Sequence, residues 1–218
     1  ISQFMNLAKY QTLVFDCDGV VLNSNKVKTE AFFKAALPYG AVAAQQLVDY
    51  HVARGGISRY KKFEWFIEHV VKGQSRPSLE ELLSAYAAEV RQGLLTCDIA
   101  NGLQELRAKT QHANWLIVSG GDQQELRDVF TARNISDLFD GGIFGSPDSK
   151  DTILAREQEC GNIRMPALFL GDSKYDVDVS TTAGLDCIFL SGWSEVQDWK
   201  LFCEDKQITT KFAIKNLV

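Results

Sequence analysis

Leu13-Val14-Phe15-Asp16-Cys17-Asp18-Gly19-Val20 is a short apolar run that stops at two aspartates one residue apart and then a glycine. A continuous apolar run of this length is how a strand buried on both faces of a parallel sheet reads. In open α/β sheets, ligands bind in the crevice beyond the carboxyl ends of the strands. Asp16 and Asp18 fall at such an end. The same punctuation recurs at Ala167-Leu168-Phe169-Leu170-Gly171-Asp172, followed by Asp176. With both strands in one sheet, these carboxylates converge on one crevice. Unpaired anions at that spacing repel, which raises their pKa values or demands a cation. A hard divalent ion with oxygen ligands resolves the conflict, and Mg2+ is the usual one where phosphate is also bound.

Working outward, further strand-like runs fall at Thr12–Phe15, Asn114–Val118, Gly142–Phe144, Ala167–Leu170 and Cys187–Leu190, with helical periodicity between most of them. Strands alternating with helices predict a doubly wound, Rossmann-like parallel sheet with crossover helices. Gly120-Gly121-Asp122 and Pro147-Asp148-Ser149 open helices, and Gly184 closes one. The stretch from about Ser24 to Thr96 breaks this pattern, because it holds amphipathic helices and no clear strand. Ile57, Tyr60, Phe63, Ile67 and Val70 share one helical face, and Leu79, Leu82, Leu83, Tyr86 and Val90 another. We read residues 24–96 as a helical cap inserted into an α/β core made of 1–23 and 97–218. Ile1 to Phe4 precede Met5 and are left out of this reading, and the tail after Gln207 fits neither pattern.

The 218 residues suffice for one large domain, or a core with a small insertion, without covalent staples. Hydrophobic and charged fractions of 45% and 23% are those of an ordinary globular protein. A net charge of −5 argues against general nucleic-acid binding, which needs a basic surface. Cys17, Cys97, Cys160, Cys187 and Cys203 are odd in number, scattered and without a C-x-x-C pair, so a reducing compartment is expected. With no run long enough to cross a membrane and no signal-peptide order, the expected location is cytoplasmic and no membrane partner is expected. A nucleotide P-loop, G-x-x-x-x-G-K-[ST], is absent from the sequence.

A carboxylate beside Mg2+ is a competent nucleophile toward a phosphoryl group, and Asp16 is the candidate. Asp18, on the same turn, suits the acid that protonates the leaving oxygen and then the base that activates water. Ser119 ends one strand before a helix, so its hydroxyl and the N–H groups of Gly120 and Gly121 are placed for an anion. Lys150, in the first turn of the next helix, supplies countercharge to Asp16 and to the phosphate. Asp172 completes the metal shell with Asp16 and the backbone carbonyl of Asp18. Asp176 ligates through water or orients a ligand, and Asp178 is the weaker choice.

Asp16-x-Asp18-Gly19-Val20, Ser119-Gly120, Lys150 and Gly171-Asp172-Ser173-x-x-Asp176 together resemble the four motifs of the haloacid dehalogenase superfamily. The helical insertion is similar in position to that family's cap, and the motifs span nearly the whole chain after Asn6. The resemblance implies a nucleophile at Asp16, an acid/base at Asp18, phosphate binding by Ser119 and Lys150, and Mg2+ on Asp16, Asp18 and Asp172. Dehalogenases and phosphonoacetaldehyde hydrolases of the family lack the second aspartate, so Asp18 favours phosphate-ester chemistry. Gly55-Gly56-Ile57-Ser58-Arg59 resembles the specificity loop of capped phosphatases and of β-phosphoglucomutase, where an arginine grips a second anionic group. Arg59 matches it, with Arg54 nearby. Lys28 stands where the mutase has the histidine of its acid/base control, Asn23 replaces a common aspartate, and Asp151 replaces the proline that commonly follows the lysine.

Several residues carry plainer expectations. Lys61 and Lys62 read as an exposed face, and Trp65 and Phe66 as core. His51, His69 and His112 show no ligand spacing and read as structural. Cys17 alternates away from its flanking aspartates and reads as packing. The expected activity is a phosphatase acting on a small phosphate ester, either a sugar phosphate or a phosphoglycolate-like acid. A phosphomutase and a non-catalytic phosphometabolite-binding protein are the alternatives.

Overall fold

In a computed structural model, residues 6–73 and 76–218 are described; Ile1 to Phe4 lie outside them. The opening run forms strand β1 (Thr12–Phe15), fully buried. A group of helices follows: α1 (Asn25–Ala36), α2 (Ala41–Ala53), α3 (Arg59–His69) and α4 (Leu79–Thr96). The chain then alternates through α5 (Leu103–Lys109), β2 (Asn114–Asp122), α6 (Gln123–Ala132), β3 (Gly142–Ser146), α7 (Lys150–Glu159) and β4 (Ala167–Gly171). It ends with α8 (Lys174–Thr182), β5 (Asp186–Leu190), α9 (Trp199–Lys206) and β6 (Thr209–Lys211).

The six strands form one parallel sheet in the order β3-β2-β1-β4-β5-β6. This is the expected doubly wound α/β fold. β1 sits between β2 and β4 in register, Phe15 pairing Ile117 on one side and Leu170 on the other. The carboxyl ends of the strands that carry Asp16, Ser119 and Asp172 are therefore adjacent. Side chains alternate between two apolar layers: Leu13 and Phe15 join Trp115, Ile117, Leu168 and Leu170 on one face, while Val14 joins Leu116, Val118 and Phe169 on the other.

α1 to α4 pack against one another over the carboxyl end of the sheet. Phe32, Phe63 and Tyr86 from α1, α3 and α4 meet as an aromatic trio, and their apolar cluster is continuous with that of the first sheet face. Ser78 and Glu81 form a capping box at the start of α4. α4 buries Leu82, Tyr86, Val90 and Leu94, in line with its sequence periodicity.

The helix of Tyr60, Phe63, Ile67 and Val70 is rotated from its expected face. α3 buries Arg59, Lys62, Phe63 and Phe66, leaving Tyr60 and Ile67 half-buried. Lys62 is thus not on an exposed face but only 2% exposed, because α3 turns a polar edge inward over the sheet. The tail resolves into β6, a sheet-edge strand that pairs with β5, and a closing 3-10 turn at Ile214–Leu217. β2 runs past Val118 to Asp122 with a shift of register against β3.

Candidate active site

Asp16, one residue beyond β1, is 4% exposed, and its Oδ1 accepts the Cys17 backbone N–H at 2.8 Å. Lys150 Nζ lies 3.1 Å from Asp16 Oδ1 and 2.5 Å from Asp176 Oδ1. Ser149 caps α7 and so fixes where Lys150 leaves the helix. Asp176 is fully buried. Its Oδ2 accepts the backbone N–H groups of Asp172 and Ser173 at 3.1 and 3.2 Å, and Ser173 returns a capping bond to its N–H. Asp176 is therefore the N3 partner of Ser173 in the capping box of α8 and the anchor of Lys150 at once.

Asp16, Asp172 and Asp176 each offer a carboxylate oxygen within 4.8 Å of the others. Burial, and next the Asp176 charge, push the Asp16 carboxyl up to about 7 despite Lys150. Burial followed by the Asp16 and Asp176 charges hold the Asp172 carboxyl well above the usual range. One lysine cannot neutralise this set. The donors are hard oxygens, crowded and undercompensated, which is the environment Mg2+ fits.

Asp18 points to the other side. Its Oδ1 accepts Ser24 Oγ–H at 2.5 Å and its Oδ2 pairs with Lys28 Nζ at 2.7 Å. Burial would raise the Asp18 carboxyl, but Lys28 and Ser24 hold it below its ordinary value. Gly19 explains itself: its φ is +79°, and a Cβ there would lie 2.0 Å from Asp172 Oδ2. Ser119 is buried with its Oγ accepting the Gly121 N–H at 3.0 Å. Gly120 faces the helical insertion so closely that a Cβ would fall 2.3 Å from the Gly56 carbonyl oxygen.

Between sheet and insertion lies a cavity of about 60 Å³ lined by Asp16, Asp18, Asp172 and Gly120 below and by Arg59 and Lys62 above. Arg59 reaches it, but both its terminal nitrogens bind Glu125 of α6, at 3.0 and 2.5 Å. Arg54 does not reach it. The Arg54 guanidinium stacks 3.9 Å over Tyr50, on an outer groove that also holds Trp65. Trp65 in turn stacks on Tyr50 at 3.8 Å, and Phe66 is core.

Sequence reasoning missed Asn25, whose Nδ2 donates to Asp172 Oδ2 and to the Trp193 carbonyl, each at 2.8 Å. It also passed over Lys62, His51 and Glu195, which line the cavity. His51 keeps the structural role expected of it in that it packs on Phe32, yet it faces the site as well. The one signal in the sequence was position: Asn25 and Lys28 open the first helix after the aspartate pair.

Among the described residues, no helix is long and apolar enough to cross a membrane. The family described as haloacid dehalogenase-like hydrolase matches residues 10–184. No curated protein sequence matches the chain. Among solved structures, CbbY from Rhodobacter sphaeroides in complex with phosphate is similar with a TM-score of 0.65 and 15% identity, over 86% of this chain and 89% of that one. A predicted phosphoglycolate phosphatase from Haemophilus somnus gives 0.66 and 16%, covering 85% and 87%. A predicted phosphatase from Clostridium acetobutylicum gives 0.71 and 15%, covering 93% and 94%. The family match spans most of the chain, and the fold agrees with it: the chain belongs to the haloacid dehalogenase-like hydrolases.

Proposed function

We propose that this chain is a Mg2+-dependent phosphatase of small phosphate esters. The observation that carries this reading is the buried set of Asp16, Asp172 and Asp176 around Lys150, at the carboxyl ends of adjacent parallel strands and beside Asp18. The phosphate bound in the CbbY neighbour supports it. Asp16, Asp172 and the backbone carbonyl of Asp18 would hold Mg2+, with Asp176 at its edge, and the ion would neutralise charge on the phosphoryl oxygens.

An Asp16 oxygen attacks phosphorus as the ester P–O bond breaks, and Asp18, ionised beside Lys28 before substrate binds, takes the proton that the substrate's monoanion brings and gives it to the leaving oxygen. Asp18, now a carboxylate, takes a proton from water as that water attacks the aspartyl-phosphate, releasing phosphate and restoring Asp16. Ser119, the Gly120 N–H and Lys150 hold the transferring oxygens. Residues 24–96 act as a cap on the core of 1–23 and 97–218, and the small volume of the cavity beneath them supports a closure that excludes bulk water.

The test is phosphate release from a panel of phosphorylated metabolites, with and without Mg2+, in wild type and Asp16→Asn. Metal-dependent release that falls by at least about 10³-fold in the variant is the expected result. No release from any ester overturns the phosphatase reading, and accumulation of an isomeric phosphate in place of free phosphate identifies a mutase.

A further inference from the structure

The cations around the cavity differ in what already neutralises them. Lys28 is paired with Asp18, Arg59 with Glu125, and Lys150 with Asp16 and Asp176. Lys62 is different. Its Nζ meets His51 Nδ1 at 2.8 Å, and among the described residues no carboxylate lies within 4 Å of it. The side chain is 2% exposed and lines the cavity. A buried ammonium with no carboxylate in contact is costly, and here the Asp18 and Glu195 charges, acting from farther off, do not offset burial and the Lys28 charge.

The bonds behind Lys62 fix how it is offered. Thr29 Oγ1 lies 3.1 Å from both carboxylate oxygens of Glu195 and 3.0 Å from His51 Nε2. A hydroxyl has one proton, and the carboxylate can only accept, so Thr29 donates to Glu195 and accepts from His51 Nε2–H. His51 Nδ1 is then the lone-pair nitrogen and takes one proton of Lys62. Burial, and next the Lys62 charge, keep the His51 imidazole neutral by holding its pKa well below the ordinary value. Lys62 Nζ also lies 5.5 Å from the centroid of the Phe32 ring, and among the described residues two of its N–H bonds make no hydrogen bond and are left for a ligand.

We propose that Lys62, oriented by His51, is the cation that receives a second anionic group of the substrate, carried at the end away from the ester phosphate. The inference rests on the phosphatase reading of the site and adds a substrate class to it: esters that also bear a carboxylate or another phosphate. Arg59, the arginine that the specificity-loop resemblance singles out, has its terminal nitrogens committed to Glu125. Burial, then Lys28, pushes the Lys62 ammonium down to about 7, and an incoming anion reverses that cost.

The test uses pairs of esters alike in size: phosphoglycolate against 2-hydroxyethyl phosphate, 3-phosphoglycerate against glycerol 3-phosphate, and fructose 1,6-bisphosphate against fructose 6-phosphate. Wild type should prefer the doubly anionic member of at least one pair in kcat/KM. In Lys62→Met and Lys62→Gln that preference ratio should fall about tenfold or more, carried by KM, since one charge-assisted contact is lost. Glutamine keeps an N–H for His51, so a fold defect confined to the methionine variant does not mimic the result. Lys61→Met, on the exposed side of α3, should retain the wild-type ratio. Calorimetry of the preferred ester in Asp16→Asn should show binding weakened about tenfold by the added Lys62→Gln.

Release with no preference for the second anion, or a preference that both Lys62 variants keep, overturns the inference and leaves the phosphatase reading intact. No release from any ester, with Lys62-dependent binding of a doubly anionic ester still seen by calorimetry, overturns catalysis and supports the subsite.

Discussion

At Asp18 burial and pairing oppose each other, and pairing wins: the Lys28 ammonium at 2.7 Å holds the carboxyl below its ordinary value although burial raises it. In the proposed cycle the deprotonated form of Asp18 is the base of the second half-reaction. With Lys28→Met, only the Ser24 hydroxyl and the Lys150 charge remain to oppose burial, and the carboxyl titrates higher. The acid limb of the pH–rate profile should then move up by about 1 to 3 pH units, the usual effect of an adjacent opposite charge. An unmoved limb, with turnover otherwise measurable, would show that Lys28 does not set the protonation of Asp18. Asn25 acts one step further out. Its amide donates to Asp172 Oδ2 while anchored on the Trp193 carbonyl. Removing a partner that orients a metal ligand costs about 10 to 100-fold in metal affinity. Asn25→Ala should raise the Mg2+ concentration at half-maximal rate by about that factor, with the rate at saturating Mg2+ much less affected.

At the level of elements, the insertion is latched to the sheet at two kinds of contact. Arg59 and Tyr60, the first residues of α3, bind Glu125 and Asp122 at the start of α6, and the Gly56 backbone lies directly against Gly120. Gly120→Ala places a methyl 2.3 Å from the Gly56 carbonyl oxygen. Backbone meets backbone there, so the insertion must lift. The proposed closure is what excludes water and sets the reacting geometry, and a displacement on the order of 1 Å can cost about 10²-fold. Gly120→Ala should lose about that much in kcat/KM while its thermal unfolding midpoint stays near wild type; full activity in the variant would mean that the close approach is incidental. Such contacts explain what was legible beforehand. The central strands read from apolar runs because parallel strands are buried on both faces, and β1 and β4 needed nothing else. β6 did not read, since a short edge strand with half-exposed Thr210 and Lys211 has no apolar run. The inward face of α3 did not read either, because its burial comes from the sheet end beneath it and not from its own periodicity.

For the whole molecule, the aspartates of the site were legible because they sit at strand ends, where topology alone gathers them. Of the cations that answer them, Lys150 was legible from its place in the first turn of a helix, whereas the placement of Lys28, Arg59 and Lys62 depends on packing that only the folded chain reveals. Lys62 shows the consequence: beside Lys61 in an acidic chain of net charge −5 it reads as surface, yet it is buried with its amine on His51. That burial couples to global stability with a definite sign. The folded chain releases the Lys62 proton at about 7 and the unfolded chain near the ordinary 10.5. Between those values the unfolded state binds more protons, so this residue's contribution rises with pH; below about 7 both states are protonated and the penalty is fully present. Titrating groups distant from Lys62 are common to wild type and Lys62→Gln and largely cancel in their difference, and burial, the largest cause of the lowered His51 pKa, remains in the variant. The variant's advantage in unfolding free energy should therefore be level below pH 7 and shrink toward pH 10, with a slope no steeper than about 1.4 kcal/mol per pH unit. Urea denaturation of both proteins at pH 6, 7, 8 and 9 measures it. A difference that stays constant across the series would mean that Lys62 is not held as a depressed, buried amine, since a lysine with an ordinary or raised pKa is protonated in both states through pH 9.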